Sequence, residues 1–174
     1  MEELEPDTKD WTWVLSRVCP ECGFDPTVVH RGEVAGLIRD DAAQWVPRLH
    51  RPGVAARTRT DRWSILEYGC HIRDVHRIFE HRVELMLTED DPQFPNWDQD
   101  ATAIADDYGA QDPVTVATEL FEAAGAVADT YDRVPADAWS RRGLRSNGSE
   151  FTVATIAVYH LHDIVHHAHD VASM

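Results

Sequence analysis

The sequence is poor in cations. Lys9 is its only lysine, and 16 lysine and arginine residues among 174 stand against 31 aspartates and glutamates, a formal charge of −15. Duplex nucleic acid and the cytoplasmic membrane face are polyanions, and binding them takes a basic face that this composition does not supply. Neither is expected as a partner. Cysteine is scarce as well. Cys19, Cys22 and Cys70 are too few, and odd in number, for the disulfide framework of a small secreted domain. No run reaches the roughly 18 apolar residues of a bilayer span, and residues 1–10 (MEELEPDTKD) are acidic without the apolar stretch of a secretory signal. These absences predict a cytoplasmic protein. The length suits one domain over 1–174, with 43% hydrophobic residues to build its core; residues 1–25, which carry CPECG, read as an N-terminal extension.

What the chain does have is helical periodicity. Apolar residues at spacings of three and four predict a helix over 26–49, with Val34, Ile38, Ala42 and Trp45 on its stripe. Ser64 and Glu67 form an S-x-x-E capping box, with Trp63 and Tyr68 at the staple positions, and open a second helix that ends near Thr88. Residues 89–112 are acidic, contain two prolines, and read as a long connection with one short helix around 99–107; such a stretch is more often functional than idle. Asp112-Pro113 is an N-cap followed by a first-turn proline, opening a third helix to about Arg133. A further turn is expected over 135–139, a loop over 141–150, and a last helix over 152–172. No strand is predicted. The architecture expected is an all-α four-helix bundle with long crossover connections.

Histidine is the anomaly, with ten residues, five of them between His160 and His169 and three between His71 and His81. His162 and His166, four apart, lie on one helix face about a turn apart, a spacing that suits two ligands of one ion. The apolar stripe of that helix (Val153, Ile156, Leu161, Ile164) lies nearly opposite, so the pair either lines a cleft or faces water. Two histidines rarely suffice for a metal, and His71, bordering the apolar stripe of the second helix, is the best third ligand. His76 and His81 lie further round that helix and read as solvated.

Two segments carry a resemblance. WSILEYGCHIRDVHRIFEHRVELMLTED, residues 63–90, resembles the second helix of the DinB-like metal-binding bundles: Trp-Ser, a glutamate, and a histidine four residues later. Its continuation through His71, Asp74 and His76 to Leu87-Thr88-Glu89-Asp90 is similar to the subgroup that includes bacillithiol S-transferases. YHLHDIVHHAHDV, residues 159–171, resembles that subgroup's last helix. His167 stands where an apolar residue is usual, and Val165 where another histidine often occurs. The resemblance implies a DinB-like bundle with a divalent transition metal, zinc first and nickel or iron next, on His71, His162 and His166. It also implies transfer of a low-molecular-weight thiol of mycothiol or bacillithiol type to an electrophilic small molecule, and allows a homodimer. Metal-dependent hydrolysis and a non-catalytic metal-binding stress protein are the alternatives. Three imidazoles on one ion leave coordination positions open for chemistry. Asp74 and Asp170 read either as acceptors that orient ligand histidines or as solvated carboxylates.

CPECGFD lies outside the resemblance. Its C-P-x-C-G form is that of a zinc knuckle, which needs further ligands. Three readings stay open: a knuckle that borrows a histidine or Cys70, a redox pair, and two reduced thiols in a tight turn. Six tryptophans, Trp97 and Trp139 among them, read as core or interface packing, with a substrate pocket as the minority role for those two.

Overall fold

In the computed structural model, which describes residues 9–172 and 174, four long helices form the bundle: α1 (Val34–Leu49), α2 (Ile65–Thr88), α4 (Pro113–Asp132) and α5 (Val153–Val171), with a short α3 (Gln99–Ala105) between α2 and α4. Most of the acidic 1–10 segment lies outside the described residues. α4 packs between α1 and α2, and α5 closes the ring from the other side. Consecutive α1 and α2 are therefore not the principal neighbours, which is what the long connections permit. Ile38, Trp45, Leu66, Ile72, Val75, Leu120, Val127, Leu161 and Ile164 fill the centre and are almost wholly buried.

The starts of the helices follow their capping chemistry. Ser64 Oγ accepts from the Glu67 amide while the Glu67 carboxylate accepts from the Ser64 amide, a closed capping box. Trp63 and Tyr68 pack edge to face at 5.6 Å, stapling the entry. Asp112 caps α4 ahead of Pro113. Thr152 and Thr155 do the same for α5.

Two expectations are corrected. The first helix begins at Val34, not residue 26, because Val29 and His30 are extended and only 3-10 turns (Pro26–Val28, Arg31–Glu33) precede it. A small sheet also exists: β1 (Gln93–Phe94) runs parallel to β2 (Arg142–Arg145), which pairs antiparallel with β3 (Glu150–Thr152). Strands of two to four residues are too short to show alternation. At Gly143 a Cβ would lie 2.7 Å from Phe94 Cε1 and 2.8 Å from Met86 Cγ, so the close approach of β2 to α2 requires glycine. β3 runs directly into α5 and fixes the position of that helix.

Ahead of α1, the chain turns sharply at Cys19–Gly23, where the Gly23 amide donates to the Cys19 carbonyl at 2.9 Å and Gly23 has φ +77°. The preceding 3-10 turn, Thr12–Leu15, packs against α5. The extension is therefore part of the domain's surface layer. Among the described residues no helix is long and apolar enough to cross a membrane.

Candidate metal centre

α5 carries two interleaved pairs at i, i+4, His162 with His166 and Asp163 with His167. One residue of offset turns a helix by about 100°, so the pairs face different neighbours. Asp163 and His167 face α2. Asp163 Oδ1 lies 3.3 Å from His71 Nε2 and 3.3 Å from His167 Nε2, and the three residues form one group of convergent donors. His167 Nδ1 is 3.0 Å from Asp170 Oδ2, and Arg62 approaches the other Asp170 oxygen at 3.7 Å. The His71 ring is fully buried, stacked on Trp97 with centroids 5.2 Å apart and planes within 5°, and crossed by His167 at 4.7 Å. Its Nδ1 has no hydrogen-bond partner among the described residues.

The charges are set by these contacts. Burial opposes ionisation of His167, yet Asp163 and Asp170 outweigh it and raise its pKa to about 9. Asp163 is likewise resisted by burial, but His167 and His71 hold it well below the usual carboxylate range. Burial lowers His71, so its ring is neutral near pH 7 with a lone pair to give.

His162 and His166 face the N-terminal segment. With Cys19 and Cys22 they form a second group whose ligand atoms all lie within 4.8 Å of one another. Cys19 Sγ is 3.9 Å from His166 Nδ1. On the far side of that ring, Nε2 is 3.6 Å from Glu21 and 3.9 Å from Asp170. Trp11 packs on both rings at 5.6 and 5.1 Å, and Phe24 meets His162 edge-on. Burial lowers His162 to about 4 and, with the neighbouring His167, lowers His166. Burial also pushes the Cys22 thiol up to about 11.

Both groups border one cavity of about 660 Å³. Asp163, His167 and Asp170 form part of its wall, with Trp11, Trp63, Trp97, Tyr68 and Tyr159 as apolar faces and Asn96, Gln99, Asn147, Arg62 and Arg145 as polar ones. Trp97, the minority candidate for a pocket, thus lines it. Trp139 is buried against Tyr131 instead.

The three histidines expected to share an ion are not brought into one group. His162 and His166 stay together, while His71 joins Asp163 and His167. Spacing alone cannot separate two pairs one residue apart, and a search for imidazoles passes over the pair whose first member is a carboxylate. Asp163 and His167 are the residues that the structure adds to the candidate groups; their signal in the sequence is D-x-x-x-H beside H-x-x-x-H. Asp170 orients His167 rather than His166. Asp74 is neither solvated nor turned to a histidine, since Arg73, Arg77 and Tyr108 take up its oxygens. His76 is fully buried, against expectation, because it pairs with His160 across the bundle at 3.0 Å. His81 is exposed, as expected. Cys70 points its sulfur toward the Tyr108 carbonyl and joins neither group.

The family model for the DinB superfamily matches residues 32–171. Among solved structures, the chain is similar to YfiT from Bacillus subtilis, described as a probable metal-dependent hydrolase with an unusual four-helix bundle topology. The TM-score is 0.71 at 18% identity, covering 88% of this chain and 89% of that one. No curated protein matches. The likeness to YfiT establishes the fold, a four-helix bundle of DinB type.

Proposed function

The chain belongs to the DinB superfamily, and on that premise we propose that it is a metal-dependent enzyme whose ion is held by His71, Asp163 and His167. One observation carries the reading: a single Asp163 oxygen stands 3.3 Å from an Nε2 of each histidine. Ligand atoms about 2.1 Å from a tetrahedral ion lie about 3.4 Å from one another, so the contacts that Asp163 makes as ion pairs in the metal-free protein also have the spacing that a coordination shell requires. Two imidazoles and a carboxylate suit zinc first, with nickel and iron also compatible. A divalent ion there supplies Lewis acidity, lowering the pKa of an adjacent thiol or water so that a nucleophile exists near neutral pH. The protein's own part is positional. Asp170 accepts from His167 Nδ1 and keeps Nε2 turned to Asp163, while Trp97 clamps the His71 ring.

The reaction proposed is transfer of a low-molecular-weight thiol, of mycothiol or bacillithiol type, to an electrophilic small molecule. The cavity supports it by its size and lining. Amides and arginines beside tryptophan faces fit a polar cosubstrate next to a flatter electrophile. Hydrolysis is the second reading, favoured by the donor set, since two histidines and a carboxylate around an activated water is a hydrolytic zinc arrangement. The deciding experiment assays the zinc-loaded protein on chlorinated aromatics and epoxides with and without thiol. Thiol-dependent consumption that Asp163→Ala abolishes is the expected result. Turnover without thiol establishes the hydrolase, and bound metal without either turnover leaves a metal-binding protein of the non-catalytic kind.

A further inference from the structure

The geometry points to a second, structural metal site of Cys2His2 type, in which Cys19, Cys22, His162 and His166 hold one zinc ion and fasten the N-terminal segment to α5. Four donors of the two side-chain types that zinc prefers come from two distant parts of the chain, and their ligand atoms fall within 4.8 Å of one another. A tetrahedral zinc holds sulfur and nitrogen about 3.6 Å apart; Cys19 Sγ and His166 Nδ1 are 3.9 Å apart. The C-P-x-C-G turn supplies the sulfurs as in a zinc knuckle. Its closing hydrogen bond and left-handed Gly23 are in place.

Two further observations bear on these residues. Among the described residues His162 Nε2 is buried with no hydrogen-bond partner, an atom that costs stability unless something takes its lone pair or proton. His166 turns Nδ1 to Cys19 and Nε2 to Glu21 and Asp170. At 3.6 and 3.9 Å these carboxylates are too far to hydrogen-bond Nε2, and it is the Nδ1 side of the ring that faces the sulfur donor. The donor set is closed: four protein ligands leave no position for substrate, unlike the three-ligand group on the other side of α5.

The consequence is architectural. Lys9, Asp10, Trp11 and Glu21 form one side of the cavity, and the proposed ion ties the turn that anchors them to the helix that carries Asp163 and His167. One helix thus bears a fastening pair and a reactive pair, offset by a single residue.

The test uses the full-length reduced protein loaded with cobalt(II) in place of zinc, as wild type, Cys22→Ser and His71→Ala, together with hydrogen exchange over residues 9–25. The expected result is a thiolate-to-cobalt charge-transfer band and tetrahedral visible bands in wild type and His71→Ala. Cys22→Ser should lose the charge-transfer intensity by about half or more, with faster exchange in the N-terminal segment. If Cys22→Ser does not fold, zinc release from wild type is followed against alkylation: one zinc freed for each joint exposure of Cys19 and Cys22 supports the site. A spectrum without thiolate ligation in wild type, a band unchanged by Cys22→Ser, zinc release uncoupled from these two thiols, or recovery of the pair as a disulfide overturns it.

Discussion

Asp163 is the residue on which the proposed metal group turns, because one of its oxygens meets both imidazoles. Removing it with Asp163→Ala leaves two neutral donors and is expected to abolish stoichiometric zinc retention by the His71 group. Asp163→His, which rebuilds a three-histidine set at the same helical position, is expected to retain the ion. Zinc competition titration of the two variants, in a Cys22→Ser background that silences the other group, separates them. Asp170→Asn keeps the shape of the side chain but weakens its hold on His167 Nδ1; affinity should fall about 10- to 100-fold. Equal affinity for wild type and Asp170→Asn would place the carboxylate outside the site's support. His71 is legible as a candidate because it borders the apolar stripe of the second helix and follows the Trp-Ser, Glu, His pattern of the DinB-like bundles. Asp163 is not, because a carboxylate among five histidines carries no visible mark until the helix is rotated against its neighbours.

Caps and stripes decided which elements could be read. Ser64, Glu67, Asp112, Pro113 and Thr152 announce helix starts through local hydrogen bonds that need no tertiary partner. The sheet is legible only in part: β2 and β3 close a local hairpin, Gly143 opposite Phe151, over an Asn147-Gly148 turn, whereas the parallel β1 edge depends on long-range pairing, Gln93 with Leu144, which no local pattern encodes. Its weak point is Gly143. A methyl group there must displace Phe94 and Met86, so Gly143→Ala should lower stability by about 1–3 kcal/mol and shift the urea midpoint down. An unchanged midpoint would mean that the sheet yields at no cost. The same logic applies to His162 and His166. They lie off the stripe that α5 turns to the other helices, and the residues that bury them, Trp11, Cys19 and Phe24, come from the N-terminal segment.

At the scale of the whole molecule, the acidic composition describes the envelope, while the interior holds imidazoles that refuse a proton. His76 Nδ1 meets His160 Nε2 at 3.0 Å, and Tyr131 closes the chain at His160 Nδ1, 3.3 Å away. Burial lowers His160 to about 3, and burial together with the neighbouring His160 puts His76 well below its ordinary value. In the unfolded chain both titrate near pH 6.5. Below that pH the unfolded state takes up protons that the native state rejects, so each group's contribution is fully present above about 6.5 and is lost as pH falls toward the native values. At about pH 5 the loss is about 2 kcal/mol per imidazole, set by the unfolded pKa alone because the native one lies lower still. His167 has the opposite sign in metal-free protein: raised to about 9, it adds stability below about 6.5 that disappears as pH rises through 9. The comparison must therefore be between variants rather than between pH values. His76→Gln retains a hydrogen-bonding partner for His160 but cannot accept a proton, so from about pH 7.5 to about pH 5 it should lose about 2 kcal/mol less than wild type in urea unfolding. Parallel pH profiles for the two proteins would show that His76 accepts its proton in the native state.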